Sequence, residues 1–307
     1  MSVVAVAGGT GKLGRTIVEA IIKHGEHKVV VLARTANDER TKGLGVPVLA
    51  IDYSNVEAVK STLESNNIGT VIAALDSAAG AEPELALIKA ADASSATKRF
   101  IPTGYGIKYT AEIAEVFSPA QAKLTVLEAL ESTSLEHTIV INGFFADYFV
   151  TPKVPSYMGP LPIVIDVANN AAAIPGSGNV PVAFTHTTDV ASFTAKLLNL
   201  EKWPRESYVV GEKLTWNEFL SLVERVKGVK FDVAYDGMEK LQRYQTTELP
   251  GQKELYPFFP KPMLQGLTAA CGILFDKGFF DINSEENVVG IKARGIRELI
   301  AEAWGSS

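Results

Sequence analysis

The stretch "SVVAVAGGTGKLGRTIVEAI", residues 2–21, runs from an apolar segment through glycines at 8, 9, 11 and 14 into a helical pattern. Gly8, Gly11 and Gly14 stand three apart, with Gly9 as an extra. After a buried strand, such a loop turns tightly, brings its backbone close to a pyrophosphate and sets the phosphate charge at a helix amino terminus. Gly14 would let that helix lie close to the strand. By itself a glycine triplet is also what a plain turn looks like. Its setting, strand before and amphipathic helix after, predicts a dinucleotide loop with the backbone of Thr10, Gly11, Lys12 and Leu13 on the pyrophosphate.

The same alternation continues outward. Residues 28–33 (KVVVLA), 46–52 (VPVLAID) and 69–75 (GTVIAAL) read as strands, as do "KRFIPTG" and "HTIVING". Helical patterns lie between them at 12–23, in "VEAVKSTLESN", in "EPELALIKAADAS" and from about 119 to 133. Short strands that are apolar on both sides, alternating with amphipathic helices, predict a doubly wound parallel α/β sheet. The alternation weakens after Asn142. Residues 1–150 are therefore expected to form a nucleotide-binding domain and 151–307 a smaller, mostly irregular and helical lobe. A returning piece of the sheet is expected at about 180–212, with a helix opened by Thr188.

Composition narrows the class. The chain has 307 residues, 47% of them hydrophobic, with net charge −6 and no basic block, which speaks against nucleic-acid binding. No run approaches the roughly 18 apolar residues that suggest a membrane span. One cysteine, Cys271, allows no internal disulfide, and no secretory pattern opens the chain, so the cytoplasm is the expected compartment. The four histidines, His24, His27, His137 and His186, are scattered without ligand spacing, and no metal site is expected. His186 is expected to be structural, with Asp189 capping or fixing the helix that follows.

The end of the second strand points to the kind of dinucleotide. Where NAD-binding loops place an acidic residue on the ribose, this chain has Arg34. A guanidinium there suits a 2′-phosphate through paired hydrogen bonds and predicts NADP(H). Arg40 and Lys42 could add charge. A solvated loop residue is the plainer alternative for Arg34. Asp52, closing the third strand, is read either as an adenine contact or as a helix cap.

Together, "GGTGKLG", Arg34, "KRFIPTGYG", "AKLTVLEALES", "HTIVINGFFADYF" and "THTTDVA" resemble the NmrA-like and isoflavone-reductase-like branch of the atypical short-chain dehydrogenases, most of all its fungal-type members. The resemblance covers most of the first 200 residues and fades over the last 90. It implies a Rossmann domain binding NADPH, a smaller carboxy-terminal substrate lobe, and hydride transfer to conjugated or aromatic small molecules in specialised metabolism. Other members imply a different class, an NADP-binding redox sensor acting through a protein partner. A non-redox biosynthetic step on the same fold is the third possibility.

The resemblance implies a catalytic role for Lys123. The tyrosine that ordinary short-chain dehydrogenases carry four residues earlier is here Pro119. Independently, Lys123 shares a helix face with Val126, Leu127 and Leu130, and partial desolvation would lower its pKa. Proton donation and orientation of the cofactor's ribose are both open to it, with snorkelling to water as the structural alternative. Where the reductases read Ser-Glu-Phe-Gly, this chain reads Thr103-Gly104-Tyr105-Gly106. Tyr105 could reach the nicotinamide end, supply a hydroxyl, or only pack. Asn142 and Gly143 are expected beside the nicotinamide. At least half of Phe144, Phe145, Tyr148 and Phe149 are expected in the core, and Tyr157, Met158, Tyr256, Phe258 and Phe259 are weaker pocket candidates.

Overall fold

The computed structural model describes residues 2–36, 43–76, 80–283 and 288–305. Strands β1 (Val3–Ala7), β2 (Lys28–Ala33), β3 (Val48–Ala50), β4 (Ile68–Ala73), β5 (Arg99–Ile101) and β6 (Glu136–His137) form a parallel sheet in the order β3-β2-β1-β4-β5-β6. The strand alternation decides how it is covered. Val4, Val6, Val29 and Val31 face α1 (Lys12–His24) and α7 (Thr187–Leu197) through Ile17, Ile21, Val190 and Phe193. Ala5, Ala7, Val30 and Leu32 face α2 (Val56–Ser65), α3 (Glu82–Ala93) and α5 (Pro119–Glu131) through Leu63, Leu87, Val126 and Leu130. Both faces are dry, as a parallel sheet built from crossovers requires.

The strand at 139–141, β7, continues β6 past Thr138, and β12 (Glu206–Tyr208) pairs with it in parallel. Here the chain returns to pair with β7, in a two-stranded sheet of their own and not in the six-stranded one. Arg99 fastens the return: its Nε donates to Glu136 at 2.6 Å, its two terminal nitrogens donate to the carbonyls of Leu200 and Glu201, and its guanidinium lies 4.9 Å from the Trp203 ring centroid. The rest of the returning piece does not join the main sheet either. Strand β11 (Pro181–Thr185) pairs instead with β8 (Phe144–Phe145) and β13 (Glu212–Thr215). A further small sheet holds β9 (Ile165–Asp166), β10 (Ala171–Pro175) and β14 (Asp232–Asp236).

Helices α4 (Ala111–Val116), α6 (Asp147–Val150), α8 (Trp216–Lys227), α9 (Met238–Gln242), α10 (Lys261–Asp276) and α11 (Ile296–Trp304) complete the described elements, with a 3₁₀ turn at 250–255. Their shared core is aromatic. Phe149 meets Phe219 edge-on at 4.8 Å between centroids, and Trp216 meets Phe275 at 5.0 Å. Such pairs contribute about 0.5–1.5 kcal/mol each beyond their buried area. Phe144 and Phe149 belong to this core, whereas Phe145 and Tyr148 stay half-buried.

Candidate functional site

The strand order reverses between β1 and β4, and open α/β sheets bind ligands at that crevice. The loop after β1 occupies it. Gly8 has φ +79°, and a Cβ there would fall 2.3 Å from the Ala74 carbonyl oxygen at the end of β4. A Cβ on Gly14 would fall 2.2 Å from the Gly8 carbonyl oxygen. Gly11 caps α1 through its backbone alone: no side chain accepts from the first turn, and no acidic residue stands in it. The first bond closing that terminus runs from the Arg15 N–H to the Gly11 carbonyl at 2.8 Å. Helix amino termini left bare in this way receive anions. The residues present fit a pyrophosphate, with Thr10, Gly11 and Lys12 exposed beside it and Leu13 packed below.

Arg34 is exposed at the carboxyl end of β2, one residue past Ala33. It lies close enough to Tyr53 to oppose the upward push that burial and Glu84 give that phenol, which stands at about 12. Arg40 and Lys42 lie outside the described residues. Asp52 accepts from the Ser54 N–H at 2.9 Å and the Ser54 hydroxyl at 2.7 Å, and these bonds hold its carboxyl below the ordinary value. The cap of α2 is not Asp52 but Asn55, which accepts from the Ala58 N–H. Asp52 therefore does not cap the helix.

Lys123 sits half-buried in the second turn of α5, three residues before the buried Val126. Burial pulls its ammonium below the ordinary value, while Glu84 and Asp76 act the other way. Glu84 was not singled out from the sequence. It is 5% exposed, in the first turn of α3, and accepts from the Thr103 N–H at 2.6 Å. The Thr103 hydroxyl in turn accepts from the Leu75 N–H at 3.1 Å, tying the ends of β4 and β5 together. A glutamate two residues past Glu82 on an exposed-looking helix start gives no sequence signal of burial.

Tyr105 is turned elsewhere. It packs with the α1 and α7 cluster, its hydroxyl buried beside Thr194, and burial pushes the phenol up. The structure therefore does not join the Tyr105 hydroxyl to Lys123 in one constellation. Asn142 is fully buried. Its amide nitrogen donates to the Gly143 carbonyl at 3.1 Å, and among the described residues its Oδ1 has no hydrogen-bond partner. An orphaned buried acceptor at the carboxyl end of β7 is what a bound polar group would satisfy. The preceding residue, Ile141, lines a cavity of about 540 Å³ together with Lys108, Tyr208 and Phe279 among others.

The weaker pocket candidates scatter. Tyr157 is exposed, lies over the Arg15 guanidinium at 4.4 Å and donates to Glu19. Phe258 is 87% exposed. His186, not Thr188, caps α7: its Nδ1 accepts from the Thr188 N–H at 3.3 Å. Its Nε2 lies 3.4 Å from Asp147, which also accepts from the Thr187 N–H and from the hydroxyls of Thr187 and Ser156. Asp189 is not the cap but stands inside the first turn; it accepts from the Arg294 N–H at 3.2 Å and ties the helix to the carboxy-terminal segment. No group of three or more His, Cys, Asp or Glu among the described residues is placed to hold a metal ion. None of the helices so described is long and apolar enough to cross a membrane.

The sequence model of the NmrA-like family matches residues 1–295. "Oxidoreductase BOA1" of Botryotinia fuckeliana is 36% identical over 230 residues, covering 74% of this chain and 77% of that protein. "Oxidoreductase swnN" of Metarhizium robertsii is 35% identical over 288 residues, covering 83% and 82%. Among solved structures, the leucoanthocyanidin reductase–NADPH complex of Vitis vinifera matches with a TM-score of 0.76 at 18% identity, covering 98% of this chain and 99% of that one. At that identity the likeness is one of fold.

Proposed function

The chain belongs to the NmrA-like family, and from that premise we propose that it is an NADPH-dependent reductase acting on a conjugated or aromatic small molecule. The observation that carries this is the bare, glycine-tight amino terminus of α1 at the strand-order reversal, with Arg34 exposed at the end of β2. The relatives named as oxidoreductases and the NADPH held by a protein of this fold support it.

Bound NADPH would supply the hydride. The chain's own residues do the rest. The backbone of 10–13 and the Arg34 guanidinium hold the two phosphate groups. Asn142 Oδ1 offers an acceptor near the carboxyl end of β7. Lys123 supplies the proton that must accompany the hydride, or holds the ribose, and its partial burial eases proton release. The 540 Å³ cavity offers room for a small ring system.

The test is a panel of conjugated carbonyl and aromatic acceptors, followed by loss of reduced-nicotinamide absorbance, in the wild type and in Lys123→Ala. Turnover in the wild type and its loss in the variant are expected. Full turnover in Lys123→Ala would remove the mechanistic role given to that residue. NADPH binding with no acceptor reduced would favour the sensor class instead.

A further inference from the structure

We propose that Tyr157, from the part of the chain beyond the nucleotide-binding domain, is a positioning residue of the cofactor site that works through Arg15. This rests on the amino terminus of α1 holding the pyrophosphate. Arg15 is the fourth residue of that helix, and its N–H closes the first helical bond onto Gly11. Helical side chains lean back towards the amino terminus, so the Arg15 side chain covers the turn that receives the phosphates. Lys12 and Arg15 put two cations into a first turn that has no acidic residue. Against the helix dipole such charges are unfavourable by themselves and become favourable with an anion in place.

The Arg15 guanidinium is held from two sides. Its Nε donates to Glu19 at 3.1 Å, and its central carbon lies 4.4 Å from the centroid of the Tyr157 ring. The Tyr157 hydroxyl donates to the same Glu19 oxygen at 2.5 Å, which closes a triangle of three side chains. Arg15 and Glu19 are 39% and 47% exposed, so without the triangle both would be free to sample many rotamers. Fixing the guanidinium beforehand lowers the ordering cost of binding a phosphate. Tyr157 is itself anchored. Its neighbour Ser156 donates to the fully buried Asp147, and the Ser156 hydroxyl oxygen accepts from the Met158 N–H at 3.0 Å. Asp147 also accepts from the Thr187 N–H at 2.9 Å, at the start of α7, which packs on α1 through Val190 and Phe193. The segment carrying Tyr157 therefore hangs from the same buried carboxylate that fixes the helix beside α1.

The test is a double-mutant cycle read as calorimetric affinity for NADPH in the wild type, Arg15→Ala, Tyr157→Ala and the double variant, with urea midpoints confirming that each is folded. Arg15→Ala is expected to weaken NADPH about tenfold, the worth of a charge-assisted bond to phosphate. Tyr157→Ala is expected to weaken it about threefold to fivefold, the worth of an exposed cation–π contact. The double variant should be no weaker than Arg15→Ala alone, because Tyr157 has nothing left to hold. Tyr157→Phe keeps the ring over Arg15 and should stay within about twofold of the wild type. Unchanged affinity in Tyr157→Ala, losses that multiply in the double variant, or Tyr157→Phe as weak as Tyr157→Ala would each overturn the proposal. A wild type that binds no NADPH would remove the dinucleotide reading itself, and the proposal with it.

Discussion

Gly14 and Gly8 are in backbone contact: a single carbon added at Gly14 would stand 2.2 Å from the Gly8 carbonyl oxygen. That closeness lets α1 start directly against the end of β1 with its first amide hydrogens uncovered. The glycine is required by packing here, since Gly14 lies inside the helix and needs no unusual backbone angle.

Gly14→Ala is therefore expected to push α1 away from the loop. Overpacking of this kind costs about 1–3 kcal/mol, read as a lowered urea midpoint. NADPH affinity should fall at least about tenfold, since a shift near 1 Å spoils close hydrogen bonds to phosphate. Calorimetry on the folded variant separates the two effects.

Tyr105→Phe should change little. The hydroxyl is buried without a hydrogen bond of regular geometry among the described residues, and removing an unsatisfied buried polar group is neutral or mildly stabilising. NADPH-dependent turnover is expected to stay within about twofold, the range that surface-neutral changes of a few tenths of a kcal/mol produce. A loss of two orders of magnitude would give the Tyr105 hydroxyl a part in the chemistry.

His186 predicts a pH effect on stability. Burial, the largest cause, holds its pKa below the ordinary 6.5, partly offset by Asp147. The folded state thus resists the proton that the unfolded chain accepts. Stability from this residue is complete above about 6.5 and is lost as pH falls towards the folded value. The urea midpoint of the wild type should decline between pH 7.5 and 5.5 more steeply than that of His186→Asn, which keeps a cap at α7. Parallel declines would show that His186 does not titrate on unfolding.

Much of this architecture was legible in the sequence because it is local. Strand alternation and the glycine spacing are set within a few residues, and the first sheet follows them closely. The partial burial of Lys123 was legible through its helical spacing to Val126 and Leu130. Glu84 was not, because its burial comes from Thr103, nineteen positions along the chain. The pairing of β11 with β8 and β13 was missed for the same reason, and so was the aromatic cluster joining Phe149 to Trp216, Phe219 and Phe275. His186 as the α7 cap escaped because histidine is an uncommon capping residue. Its setting depends on Asp147, far away in sequence.

The most direct measurement is calorimetric affinity for NADPH and NADH in the wild type and in Arg34→Ala. The wild type is expected to prefer NADPH strongly. Arg34→Ala is expected to weaken NADPH about tenfold to a hundredfold, the worth of charge-assisted bonds to one phosphate, while leaving NADH nearly unchanged. Equal affinities in the wild type, or an equal loss for both cofactors in the variant, would contradict the assignment of Arg34 to the 2′-phosphate. Absence of binding by either would contradict the dinucleotide site itself.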